Sequence, residues 1–289
     1  MKNEVKKTFL SQMPLFISAP AIIWQTMFLW APLLFLIGTS ILLVKNGFIT
    51  VTLKHYASLY NALHWYVIAR SLLLAFTTTA LCIIVAYPVA YFVARRIKRG
   101  KTTFLFFLGI PFWVNFLIHV YAWFFVLDSN GIVNSLLMKL GIISTPLYLL
   151  NSALAIGLVT FYCYLPFMVL PIYTALERLD GNLLEAAADL GASPRISFRT
   201  ITIPLTLTGI RAGVFLVFVA SFGEYAIPIL LGGGKKLYVG SLISDYYLLS
   251  QEPALGSAFT VLSSLVLIAA VLLIRLSLRK DVVLKGAYR

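Results

Sequence analysis

Charge is what this 289-residue sequence has least of. Asp, Glu, Lys and Arg together make up 11% of it, against roughly a quarter of an ordinary soluble domain. A chain so poor in charge cannot cover its own surface in water, so the two soluble domains its length would allow are excluded. Cysteine is almost absent. Cys82 and Cys163 both lie in apolar runs with no Cys-x-x-Cys, which excludes a disulfide scaffold and leaves two reduced, buried thiols. The three histidines, His55, His64 and His119, have no ligand spacing among themselves or with the cysteines, so no metal site is expected. No Gly-x-x-x-x-Gly-Lys-Ser/Thr loop occurs, so the chain has no means of hydrolysing ATP itself. Nor does any nucleophile stand paired with a base. No catalytic residue and no cofactor are expected, and an intramembrane protease is excluded.

What the chain has instead is hydrophobic sequence, 61% of the whole. Uncharged windows run over 8–44, 71–94, 102–127, 140–176 and 253–274; a sixth, after Arg211, is interrupted by Glu224 and ends at Gly232-Gly233-Gly234. About 20 apolar residues in a helix cross a bilayer's hydrocarbon. The expectation is therefore an all-α, polytopic membrane protein with six transmembrane helices. It reads as a single transmembrane domain over 1–289, with its core bundle at about 66–278. The first run of 37 residues far exceeds the roughly 7–15 of a signal-peptide core, so it is expected to stay as the first span.

The net charge of +13 is spread beside the spans and forms no patch of its own, which points to membrane topology and not to nucleic acid. Of the 23 Lys and Arg, 17 lie in the N-terminus, the 95–101 loop, the 177–211 segment and the C-terminal tail, and six on the other side. By the positive-inside rule both termini and residues 177–211 are cytoplasmic. Pro20, Pro32, Pro88, Pro166 and Pro171 fall inside spans. They either curve a packed bundle or shape a cavity within it.

One segment is polar. Eight of the 33 charged residues fall between Glu177 and Arg211, around "EAAADLGASPRISFRTITIP". Asn182 is placed to cap a helix, with Glu185 returning the bond. The helix then runs to Leu190, and Gly191 supplies a left-handed stop. Ser193-Pro194 starts a second short helix, and Pro204 either closes it or begins the next span. A two-turn helix is marginal alone in water. Leu183, Ala186, Ala187 and Leu190 share one face and Glu185 and Asp189 another, so this helix needs something to dock on, either its own bundle or a partner.

Here the sequence resembles a known family. Glu185-Ala186-Ala187, three residues, Gly191, nine residues, Ile201, one residue, then Ile203-Pro204 is similar to the EAA loop of ABC importer permeases, usually EAA–x3–G–x9–I–x–LP. Ile203 in place of leucine is the one departure. The stretches "VAYPVAYFVARR", "IPFWVNFLIHVYAW", "LPFMVLPIYTALERLDGNLLEAAADLGAS" and "FGEYAIPILLGGG" look like the spermidine/putrescine branch, in particular its first permease type. The resemblance implies a type I ABC importer (MetI-like) permease fold in a bacterial inner membrane. It implies that residues 177–211 carry a coupling helix for a cytoplasmic ATPase, with Glu185, Ala186, Ala187, Asp189, Gly191, Ile201 and Pro204 at the contact. The implied partners are a second permease making a heterodimer, two ATPase subunits that bind the ATP, a periplasmic substrate-binding protein, membrane lipid and a polyamine.

A polyamine path needs acids, aromatic faces and polar groups. Glu224 lies 13 positions after Arg211, about 20 Å along a helix axis, so it either faces the bundle interior or has reached the headgroups. Asn115, His119 and Trp123 repeat every four residues along one helical face. Trp123 and Tyr225 are suited to holding ammonium groups, and equally to anchoring at the interface. Asp128, Asp245 and Glu252 sit on the periplasmic side, where they attract cations, dock a binding protein or are simply solvated. The segment "KKLYVGSLISDYYLLSQEPALG" is amphipathic enough for a short surface helix, whereas the resemblance implies a loop that can fold back beside the translocation path; the sequence leaves the two open. Two other functions compete with the polyamine reading. One is an ABC permease for another small solute, such as an anion, an iron complex or an amino acid. The other is a stand-alone secondary transporter, for which the expected internal repeat is not evident.

Overall fold

A computed structural model describes residues 18–45, 48–97, 99–234 and 236–286. Lys2, Lys6, Lys7, the beginning of the first apolar run, Lys98 and Lys235 lie outside the described residues. The described chain contains helix α1 (Ser18–Ile41), strands β1 (Leu42–Lys45) and β2 (Phe48–Val51), and helices α2 (Lys54–Leu59), α3 (Ala62–Arg95), α4 (Lys101–Trp113), α5 (Phe116–Leu127), α6 (Ile132–Lys139), α7 (Ala153–Glu177) and α8 (Asn182–Asp189). Then follow α9 (Pro194–Phe222), α10 (Ala226–Gly232), α11 (Val239–Ser244) and α12 (Pro253–Gly286). Six helical stretches are long and apolar enough to cross a membrane, the number expected. The β1–β2 hairpin, paired Leu42↔Val51 to Lys45↔Phe48, is the departure from an all-α chain among the described residues. The fourth apolar window also shortens. Its first part, 140–152, is surface chain, and α7 begins only where Ser152 caps it by accepting from the Ala155 N–H at 3.0 Å.

Two compact units emerge, Met1–Asn61 with Asp245–Leu262, and Ala62–Ser244 with Ser263–Arg289. In the first, α1 exposes Trp24, Phe28, Leu34 and Phe35 along its length. It is held by small polar groups near its end. Thr39 donates to the Ser257 hydroxyl at 2.8 Å, which in turn lies 2.6 Å from the Tyr247 hydroxyl, and Ser40 meets Tyr56 at 2.8 Å. Pro32 does not break α1. A π-helical turn, Thr26–Trp30, precedes it, with the Ala31 N–H reaching back to Thr26. The same device, Phe198–Thr202, precedes Pro204 in α9. In both places the wider turn shifts the bonding register, so the ring clears the carbonyl behind it and the helix continues. Pro204 therefore lies inside a continuous α9, and the separate second helix expected there is only its first turns.

In the second unit α7 is the central post. On one side Cys82, Ala86, Ala90 and Ala94 of α3, spaced every four residues, pack with Met168, Val169, Ile172 and Leu176. On the other, Gly209 and Gly213 of α9 lie against Pro171, Ala175 and Met168. Small residues at such spacing let membrane helices approach closely, and the resulting dispersion contact holds them together where no hydrophobic effect operates. A second cluster, including Leu74, Val120, Ile156, Ile227 and Leu231, packs the opposite end of this unit.

The third uncharged window is broken. The 102–127 window holds two helices, α4 and α5, separated by extended backbone at Val114 and Asn115. Lys101, the first residue of α4, pairs with Glu177 at the end of α7 at 3.0 Å. At the other extreme the Asn134 side chain ties the Asp128 carbonyl to Leu147, just before α7. The uncharged window is thus shared by two helices: α4 is a shorter apolar helix, and the third membrane-length stretch runs from Phe116 through α5 and α6 to Lys139.

Candidate functional site

The break in the third window recurs in the fifth span. α9 stops at Phe222, and the chain runs through Gly223, Glu224 and Tyr225 before α10 begins. Pro228 explains the place: a continuous helix would drive its ring into the carbonyl of Glu224, four residues back. In the first turn of α10 its missing N–H costs nothing. Each break is then capped by its own polar side chain. Asn115 accepts from the N–H groups of Leu117 and Ile118, at 3.0 and 3.4 Å. Glu224 Oε1 accepts from those of Ala226 and Ile227, at 2.9 and 3.2 Å.

Both breaks open on one cavity of about 750 Å³, lined among others by Trp113, Asn115, His119, Tyr164, Glu224 and Tyr225. Glu224 is only 6% exposed, and its second oxygen accepts from the Tyr164 hydroxyl. The carboxyl is thus buried with three donors on it, which is how a buried acid is tolerated. Trp113 and Tyr225, 68% and 52% exposed, offer open ring faces. Among the described residues no lysine or arginine lines the cavity. Non-helical backbone at membrane depth is tolerated where it lines such a space.

Of the residues singled out from sequence, Asn115, His119, Glu224 and Tyr225 come together here. Trp123 and Asp128 do not. The expected face Asn115–His119–Trp123 fails because Asn115 is the cap and not part of the helix. His119 and Trp123 instead flank Tyr162 of α7, each with ring centroids 5.1 Å from it, and so fasten α5 to α7. Asp128 is a turn residue, accepting from the Asn130 N–H at 3.0 Å. Trp113, Tyr164 and Phe167 line the cavity without having been singled out. The i, i+3 spacing of Tyr164 and Phe167 was the available signal.

The segment whose place the sequence left open, on the surface or folded back, folds inward. Tyr238, Val239, Ser241 and Leu242 are buried, and the Val239 N–H donates to Ser71 of α3 at 2.8 Å. Arg70 lies 4.8 Å from the Tyr238 ring centre. Burial pushes the Tyr238 hydroxyl above the usual phenol range, against the opposing pull of Arg70. Gly240 rests on the carbonyls of Gly223 and Glu224, so α11 props the fifth-span break from behind.

The polar segment forms at the other end. Gly191 takes φ +81°, and the Ala192 N–H reaches back to Ala187 at 2.9 Å, the expected left-handed stop. Asn182 is not the cap. Asp180 takes the Asn182 N–H at 3.0 Å, the helix starts one residue earlier in register, and no side chain closes a capping box. Two anchors hold the segment to the bundle. Arg95 donates to the Leu179 carbonyl at 2.8 Å, and Phe198 makes edge contacts with Tyr87 and Tyr91. Leu184 and Ala188 turn toward Tyr91 and Phe198. Leu183 and Leu190 are left outside, Leu190 at 89% exposure, with Glu185, Ala186 and Asp189 also exposed.

Comparison with known proteins bears on both sites. The family of binding-protein-dependent transport system inner membrane components matches residues 83–282. The spermidine/putrescine transport system permease protein PotB of Escherichia coli K12 is 39% identical over 252 residues, covering 84% of this chain and 90% of that protein. The molybdenum transport system permease protein ModB of Azotobacter vinelandii is 28% identical over 166 residues, 57% of this chain and 72% of that one. Among solved structures, a bacterial ABC transporter involved in import of the acidic polysaccharide alginate superposes with TM-score 0.71 at 18% identity, covering 96% of this chain and 99% of that one.

Proposed function

The chain belongs to the family of binding-protein-dependent transport system inner membrane components, a multi-pass inner membrane protein, and on that premise we propose that it is a permease subunit importing polyamines. The observation that carries the substrate is the cavity: a buried carboxyl and open aromatic rings, with no lysine or arginine among the described residues of its lining. A flexible polycation is attracted there by the acid and by ring faces, at about 0.5–2 kcal/mol per ring. An anion gains nothing from either. The 39% identity to a spermidine/putrescine permease supports the same sign.

Energy enters at α8. The chain has no phosphate-binding loop of its own, so it is non-catalytic and ATP is bound and hydrolysed by partner subunits. Glu185, Ala186, Asp189 and Leu190 make the exposed docking face, while Gly191 sets its bend. Ile201 and Pro204, half-buried in the first turns of α9, pass its movement into a continuous fifth span. With the basic loops inside, both termini and α8 are cytoplasmic. A second permease, two ATPase subunits and a periplasmic binding protein complete the importer.

The test is uptake of labelled spermidine and putrescine in cells lacking other polyamine importers. Wild type restores uptake, and Leu190→Asp lowers it by about tenfold or more, the worth of one buried leucine, at unchanged membrane abundance. Uptake of molybdate but of neither polyamine would refute the substrate. Full activity of Leu190→Asp would refute the docking face.

The cysteines provide a second check. Cys163 borders the cavity whereas Cys82 is wholly buried between α3 and α7. A small cationic thiol reagent is expected to modify Cys163 in the native protein and leave Cys82 intact, with spermidine slowing the reaction. Equal labelling of both, or no protection, would argue against a water-filled polyamine cavity.

A further inference from the structure

A second concavity, of about 390 Å³, lies between α9 and α12, lined among others by Arg211, Phe215, Phe218, Leu272 and Arg275. Its walls are apolar, yet two guanidiniums stand in it. Arg211 gives one N–H, from Nη2, to the Leu278 carbonyl at 2.6 Å, and its Nε is buried without a partner. Neither arginine is in an ion pair among the described residues, where the pair found is Lys101–Glu177. Arg211 is half-buried and Arg275 exposed, so two like charges stand together against an apolar wall with no acid among the described residues beside them, and this geometry asks for an anion.

Depth narrows the choice. Arg211 stands between Gly209 and Gly213, which face Pro171 and Met168 of α7. That level is about 10 Å inside Glu177, the end of α7, where an arginine reaches outward along its own stem to headgroup height. A soluble anion would use the arginines and ignore the groove. A phospholipid uses both: guanidinium forks match phosphate oxygens, and an acyl chain covers Phe215, Phe218 and Leu272.

We propose that this groove is a binding site for an anionic phospholipid, its phosphate held between Arg211 and Arg275. The site rests only on the two spans that form it and is independent of what the cavity transports. One lipid seated there would brace α9, the helix that links α8 to the break at Glu224.

Native mass spectrometry of the full chain, in detergent containing equal phosphatidylglycerol and phosphatidylcholine of identical acyl chains, tests this. Wild type is expected to retain phosphatidylglycerol in preference, and Arg211→Gln or Arg275→Gln each to reduce that preference about fivefold. Arg99→Gln, an exposed arginine at the same end and outside the groove, should keep it. Because Arg211 also holds Leu278, the exposed Arg275 gives the independent arm should Arg211→Gln fold poorly. Equal retention of the two lipids by wild type, or a wild-type preference in Arg275→Gln, overturns the proposal. Displacement of the lipid by inorganic phosphate would assign the site to a free anion and overturn it equally.

Discussion

Glu224→Leu is expected to abolish polyamine uptake and to lower the stability of the chain by about 3–9 kcal/mol. The figure follows from three orphaned donors, the N–H groups of Ala226 and Ile227 and the hydroxyl of Tyr164, at about 1–3 kcal/mol for each buried polar group left unmet. Leucine fills the volume but accepts no hydrogen bond, so α10 starts without a cap and the break it begins from loosens. Glu224→Gln separates structure from charge. Its amide oxygen still accepts from the two N–H groups and its NH2 turns to the Tyr164 oxygen, so stability should move by only about 1 kcal/mol. The charge is gone, and uptake should fall about tenfold or more, the size of one charge-assisted contact. Melting in detergent and uptake in cells, measured on both variants, read the two roles apart. Wild-type uptake by Glu224→Gln would leave the residue as a helix cap alone and remove the acid from the cation path.

Gly209→Leu is expected to leave little folded protein in the membrane. A Cβ at Gly209 would lie 2.5 Å from the Pro171 carbonyl oxygen and 2.6 Å from the Ala175 Cβ. The first neighbour is backbone, fixed in the middle of α7, and has no rotamer to yield with. α9 would have to move away from α7 along the whole seam, undoing the Gly213–Met168 contact one turn on. Overpacking a core costs about 1–3 kcal/mol where side chains can adjust, and a backbone neighbour places this site at or above the upper end. The control is Gly157→Ala, on the α7 side of the bundle but with open space around the new Cβ. There alanine is expected to stabilise the helix by about 0.5–1 kcal/mol. Equal yield and melting temperature for the two variants would show that the α7–α9 seam is not closely packed.

Much of this was legible from local chemistry. Uncharged windows located the spans because a bilayer admits charge only at a cost, and Gly191 and Pro194 declared themselves through the backbone they permit. The Ala86-Ala90-Ala94 and Gly209-Gly213 spacings were equally open to view as close-packing stripes, although neither was read from the sequence. Other errors have a common origin. The window 102–127 contains nothing that forbids a continuous helix, and Asn115 reads as one more polar residue on a face. Asn182 and Glu185 fit a capping box by spacing, yet Asp180 lay closer to the orphan N–H. Caps are a competition among neighbouring groups, and spacing names the candidates without naming the winner.

By itself, then, the sequence determined the solvent, the number of crossings and the polar segment that faces water, because each depends on transfer from water to lipid and on single-residue backbone freedom. Only the tertiary structure decided that the third window and the fifth span break beside each other, that Tyr164 and Glu224 meet across 60 residues of chain, and that Tyr238 to Leu242 fold in behind them. Those pairings depend on which helix stands next to which, a matter of packing between surfaces that no one stretch of residues contains.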